Sequence, residues 1–172
     1  YVLESTFDSN YGLRGAAIRS RDCRAEIGEN FVVIEDSTIQ NHFSFSAGAV
    51  FSEDTTTEHI YTTFDNNIAY RIGGAVYTRG LTYLHSFGST YKYNYGLYGG
   101  GLALMGRTAA ISTATISWNW AFRDGGGVLL ESMASVTFTS CTISGKLPPI
   151  PPPRQTPRTK TTKTLSLSLT LL

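Results

Sequence analysis

Two histidines, His59 and His85, stand 26 residues apart, each nine residues beyond a run of small residues that ends at Val50 or Val76. Imidazoles on adjacent layers of a fold would share a metal ion or pass a proton. The next residue at that interval is Ile111, and neither Cys nor a carboxylate stands ready to complete a shell. The pair therefore reads as non-ligand histidines, with no metal and no cofactor expected. Three residues past each small-residue run come Arg21, Glu53, Arg79, Met105 and Glu131. Glu53 beside Arg79 would be a surface ion pair worth under about 1 kcal/mol, part of a solvated wall. Cleaving a polysaccharide calls for clustered carboxylates, with or without a basic partner. The column Asp8, Gln40, Asp65, Lys92 and Ser117 never sets two carboxylates on neighbouring layers. No catalytic residue is assigned.

Binding chemistry has more to work with. The stretches "YKYNY" at 91–95 and "SWNW" at 117–120 would set Tyr93 above Trp118 and Tyr95 above Trp120. The rings either pack inside or face solvent. Facing out, with Asp65 and Lys92 adding polar contacts, they would suit recognition of a glycan or a partner protein.

These columns exist because the chain repeats. The runs "GAAI" 15–18, "AGAV" 47–50, "GGAV" 73–76, "GGGL" 99–102 and "GGGV" 125–128 end at spacings of 32, 26, 26 and 26 residues. A second anchor accompanies them: Phe7, Ile39, Phe64, Tyr91, Ile116 and Ile143. Thr stands directly before every anchor, and a small residue (Ser5, Ser37, Thr62, Ser89, Ala114, Cys141) stands before that. Three residues after it comes Asn10, His42, Asn67, Asn94 or Asn119. A period of this length marks a stacked architecture.

Helical repeats would show apolar residues at i, i+3 and i+4 without a glycine run in each unit. Here "VTFTSCTI" and "AISTATI" alternate instead. In small–Thr–apolar, the first and third side chains share one face and Thr takes the other. Coils stacked about 4.8 Å apart would align the anchors as an interior ladder and the threonines as an exterior one. Asn at a fixed corner suits left-handed backbone geometry and can bond neighbouring backbone. Gly12-Leu13, Ser44-Phe45, Ala69-Tyr70, Gly96-Leu97 and Ala121-Phe122 read as a second interior ladder. The expected fold is all-β: a single-stranded right-handed parallel β-helix of about five coils of ~26 residues.

The strict F-x-x-N matches at Phe7–Asn10 and Phe64–Asn67, with Gly73-Gly74-Ala75-Val76, resemble the repeat of the chlamydial polymorphic membrane proteins. The resemblance covers about residues 5–145, with Tyr91 and Ile116 replacing Phe and His42 replacing Asn. It implies a pectin-lyase-like β-helix in a surface-displayed or secreted protein, adhesin- or stalk-like and non-catalytic, at the cell surface or outside it. The alternative is a fragment of a carbohydrate-active lyase or hydrolase whose active site lies outside this segment.

Residues 1–145 form the repeat region, with a charged loop expected around 19–30 to absorb the longer first interval. The Pro-rich, basic stretch 146–172 lacks the repeat and is expected to be extended or disordered. Arg154, Arg158, Lys160 and Lys163 sit in 147–172 without an acid; removing those four of the 14 bases leaves ten against 13 acids, a net of −3. A nucleic-acid partner is therefore not expected. No apolar run reaches the roughly 20 residues of a membrane-spanning helix. Opening on Tyr1, the chain reads as a piece of a longer protein. Cys23 in the loop and Cys141 about four coils on would be some 20 Å apart, too far for a disulfide.

Overall fold

A computed structural model describes residues 1–21, 31–132 and 135–145. Cys23, most of the expected loop and the stretch 146–172 lie outside the described residues. The chain winds as an all-β solenoid of parallel strands, four to a coil, and each strand pairs with its counterpart in the next coil. Four full turns run between residues 31 and 130, with flanking strands before and after them. No helix is long and apolar enough to cross a membrane among the described residues.

Four sheets line the coil. The anchor sheet holds Thr6–Asp8, Thr38–Gln40, Thr63–Asp65, Thr90–Lys92, Thr115–Ser117 and Thr142–Ser144. Its register aligns Phe7, Ile39, Phe64, Tyr91, Ile116 and Ile143. The four central anchors are fully buried, Phe7 is half-buried, and Ile143 on the last strand is 42% exposed. Phe64 and Tyr91 stack with ring centroids 4.9 Å apart and planes 5° from parallel. The expected interior ladder is therefore present and opens at both ends of the stack.

Next comes the corner sheet: Tyr11–Arg14, Phe43–Ser46, Ile68–Ala69, Tyr95–Gly96 and Trp120–Ala121. The run sheet follows the small-residue runs with Ile18–Arg21, Val50–Glu53, Val76–Arg79, Leu102–Met105 and Val128–Leu130. Strand Ile18–Arg21 occupies the first residues of the stretch expected to be loop. Closing the coil are Val2–Leu3, Phe31–Glu35, Thr56–Ile60, Tyr83–Phe87, Thr108–Ser112 and Ser135–Thr139.

The glycine column has a steric cause. A Cβ on Gly48 would lie 1.9 Å from the carbonyl oxygen of Gly74, and one on Gly74 would lie 2.0 Å from that of Gly100. No side chain fits between coils that close. Alternation also splits the run sheet between two cores. Val50, Val76 and Leu102 join the anchors inside, while Phe51, Tyr77 and Ala103 form a second buried cluster with Ala47.

The Asn column works differently from the expectation. Positive φ falls on the preceding residue, at Ser9, Asn41, Asn66, Tyr93 and Trp118, and not on the Asn column itself. Asn67, Asn94 and Asn119 are buried and turn inward instead. The backbone N–H of Asn67 donates to Asn94 Oδ1 at 2.9 Å, and that of Asn94 donates to Asn119 Oδ1 at 2.9 Å. Each Nδ2 reaches back to a carbonyl of an earlier coil: Ile39, Phe64 and Tyr91 respectively. His42 stands in for Asn by accepting from the Asn10 backbone N–H at Nδ1 and donating its own N–H to Asn67 Oδ1. Asn10 itself is exposed on the first coil. A ladder of amides thus satisfies the corner backbone that the left-handed residue diverts from sheet pairing.

Candidate binding surface

The second interior ladder is overturned, and its failure creates the surface. In the three central pairs of the corner sheet the small member takes the interior place and the large one lies outside it. Ser44, Ala69 and Gly96 are buried, whereas Leu13 is 80% exposed, Tyr70 65% and Phe122 60%; Phe45 is also exposed and Leu97 half-buried. The interior is too narrow there for more. A Cβ on Gly96 would already meet the Tyr98 carbonyl oxygen at 3.0 Å, and Ser44 Oγ donates to the carbonyls of Ser46 and Ala47 across the bend.

A parallel column lies two residues earlier on the same outer face. Register aligns Tyr11, Phe43, Ile68, Tyr95 and Trp120. Tyr11 and Phe43 are exposed, and the other three are half-buried. The two columns together make an uncharged strip along the solenoid axis. Tyr95 and Trp120 stack at 4.5 Å with planes 25° apart, and Phe45 and Tyr70 at 5.6 Å with planes 20° apart. Rings stacked from coil to coil use their faces on one another and turn edges and polar tips outward. Phe122 sets its ring nearly perpendicular to Trp120, 6.1 Å away.

The four rings singled out from sequence divide between the strip and its border. Tyr95 and Trp120 belong to it. Tyr93 and Trp118 sit on the left-handed corner beside it, 45% and 44% exposed, with the Tyr93 backbone N–H donating to the Ser117 carbonyl. Lys92 Nζ lies 3.2 Å from Asp65 Oδ2 and 5.9 Å from the Tyr93 ring centroid, so these two charges bind each other on the neighbouring sheet. Asp8, in the same column, accepts from Asn41, Ser9 and Gln40, and those hydrogen bonds hold its carboxyl below the usual range. On the opposite border Arg14, Arg71 and Arg123 are exposed. Arg71 lies 5.7 Å over the Phe45 ring and Arg123 5.9 Å over Tyr98. None of these three arginines forms an ion pair among the described residues.

The remaining candidates move away from chemistry. His59 and His85 do not stack: register pairs His85 with Glu58 and His59 with Ser86. The turn Gly80-Leu81-Thr82 holds one residue more than Asp54-Thr55 in the previous coil, which turns one histidine in and the other out. His85 lies 3.6 Å from Glu58 on the surface. His59 is fully buried, its Nδ1 2.9 Å from the Tyr91 hydroxyl, which is in turn 2.9 Å from Ser86 Oγ. Burial drives its pKa down to about 3 and pushes the Tyr91 hydroxyl up. Glu53 is not on a solvated wall either: it is buried and paired with both Arg21, at 3.1 Å, and Arg79. Cys141 is half-buried, its thiol 3.2 Å from the Ile111 carbonyl oxygen. Among the described residues no group of three His, Cys, Asp or Glu could hold a metal ion.

What the arrangement can do chemically is cover apolar surface, through a strip of rings and aliphatics with guanidinium groups along one side. Sequence reasoning missed most of that strip because it sent the large residues inward; the regular large–small–large pattern of "FSF" 43–45 and "IAY" 68–70 was the available signal. Compared with known proteins, the chain matches no family model, no curated protein and no solved structure.

Proposed function

We propose that this chain is a non-catalytic structural and binding segment of a surface-displayed or secreted protein, a right-handed parallel β-helix of the pectin-lyase-like kind. It serves as stalk and adhesive surface, and the corner-sheet strip is where it meets a glycan or partner protein. One observation carries the reading: Leu13, Phe45, Tyr70 and Phe122 stand out from a sheet whose inward positions are small. A purely structural stalk would be polar on every outer face, as the anchor sheet is with its threonines. A column of exposed rings and aliphatics repeated from coil to coil offers a contact surface that a polar wall does not. The resemblance to polymorphic membrane protein repeats supplies the surface location.

The test compares the native chain with Tyr70→Ala and Trp120→Ala on glycan arrays and in pull-downs from cell-surface extracts. Loss of binding by about tenfold or more in either variant is expected for a central contact of a small interface. Unchanged capture by both variants would remove the reading.

A further inference from the structure

We propose that the strip docks on an anionic lipid surface, its apolar edges entering the headgroup boundary and its arginines meeting lipid phosphates. The inference rests on the reading of the strip as a binding surface and goes beyond it by setting lipid in place of a glycan or partner protein.

Size is the first argument. Five strands about 4.8 Å apart, with two outward residues of each facing the strip, give a patch about 20 Å long and 10 Å across. That is roughly a quarter of the ~800 Å² that a stable protein partner covers. A bilayer needs no matching contour, because each side chain that enters the boundary contributes by itself. Composition is the second. Tyr70, Tyr95 and Trp120 combine a ring with a polar tip, and such residues concentrate at the membrane–water boundary. The rings stack from coil to coil, Phe45 on Tyr70 and Tyr95 on Trp120. Leu13, Phe45 and Phe122 supply purely apolar tips beside them.

Charge is the third. Arg14, Arg71 and Arg123 border the strip on one side, exposed and without ion pairs among the described residues, with Arg14 lying 5.9 Å over the Phe51 ring of the adjoining run sheet. On the far side Asp65 is neutralised by Lys92, and Asp8 is held by Asn41, Ser9 and Gln40. Asp124, which follows Arg123 in sequence, is exposed and subtracts one charge from the three. A net basic border on an apolar strip suits phosphate-bearing lipid better than a neutral glycan.

The two tryptophans of the chain, Trp118 and Trp120, lie at and beside the strip, so their emission reports its environment. The full chain is mixed with vesicles of phosphatidylcholine alone or with 30% phosphatidylserine (roughly the anionic share that gives a strong surface potential). Cosedimentation with the anionic vesicles and a blue shift of emission are expected. Phe45→Ser with Tyr70→Ser should abolish both. Arg14→Gln, Arg71→Gln and Arg123→Gln together should weaken anionic-vesicle binding on the order of a hundredfold, at about 1 kcal/mol for each charge. Phe87→Ser, on the outer face of a different sheet, should change neither. Absence of vesicle binding overturns the proposal, as does binding that the strip variants leave intact. Should the strip variants instead lose only glycan or protein capture, or dissociate a dimer of the chain, the lipid assignment falls and the strip remains a binding surface. No loss in any of these assays would sink both.

Discussion

The anchor sheet and the corner sheet both place a large apolar or aromatic residue at one position in every coil, yet one column is the core and the other is the surface. Phe64 and Tyr91 sit between a threonine and a polar residue, and they fill the coil. Phe45 and Tyr70 follow a small residue that takes the interior place, because the bend before the glycine run leaves no depth for a ring. Hydrophobicity alone does not say which way a column faces. The residue sharing its strand does, since alternation makes the two faces compete for the one interior slot. The difference separates a region whose aromatics hold the fold from one whose aromatics are free to meet something else.

The sharpest way to break that comparison is to truncate one aromatic of each kind. Phe64→Ala removes a ring packed on Tyr91 and on His59, whose centroid is 4.8 Å away, and should cost about 3–5 kcal/mol in denaturant titration. Phe45→Ala, with its ring outside, should cost less than about 1 kcal/mol. Equal losses would mean that the corner sheet is also core.

Next in size is the amide ladder. In Asn94→Ala the Phe64 carbonyl loses its donor, and the backbone N–H of Asn67 loses its acceptor, both in the buried interior. At about 1–3 kcal/mol for each orphaned group, a loss of about 2–6 kcal/mol is expected from thermal or chemical unfolding. Asn66→Ala tests the neighbouring corner position, where φ is +51° and the side chain is exposed. Strain at that left-handed position should cost only about 1 kcal/mol, so the ratio of the two losses locates the amide function.

Acid gives a third contrast. Burial holds His59 at about 3, whereas an unfolded histidine titrates near its ordinary value of 6.5. A base whose folded pKa is depressed leaves the unfolded state binding more protons, so its contribution is intact above pH 6.5 and is lost as the pH falls toward 3. The slope approaches about 1.4 kcal/mol for each pH unit inside that window. Replacing His59 by Gln should flatten the fall between pH 6 and 4, at roughly that slope, in unfolding free energy measured against pH. A profile identical to that of the native chain would place the imidazole in solvent.

How far the sequence led can be stated residue by residue. The repeat of Gly/Ala runs and Thr-preceded anchors was enough for the parallel stack and its central register, because both depend on chain period and strand alternation. The histidine offset was not legible from the run spacing, since one extra turn residue near Gly80 is hidden within an unchanged 26-residue interval. The burial of Glu53 escaped for a related reason: the spacing sets two arginines beside it in register but does not say that the paired carboxylate is removed from water. Of the binding surface, Tyr95 and Trp120 were found and Tyr70, Phe45, Leu13 and Phe122 were assigned inward. Their fate rests on how tightly the backbone bends at the corner, a property of three dimensions that the glycines hint at without fixing.

The smallest expected effect sharpens the comparison most. Tyr70→Ser exchanges a ring that is 65% exposed for a small polar group, on a position whose buried neighbour Ala69 keeps the strand's inward contact. Its stacking on Phe45 is lost, a contribution of about 0.5–1.5 kcal/mol for a buried aromatic pair and less for one in solvent. Against this, an apolar ring removed from water contact is no longer a hydration cost in the native state. The net change in unfolding free energy should therefore stay within about 0.5 kcal/mol, the range of ordinary surface substitutions. Binding should fall by tenfold or more in the same variant. Stability unchanged and binding lost is the signature of a side chain retained for a partner. A loss of several kcal/mol with binding intact would return Tyr70 to the core and leave the corner sheet a wall like the others.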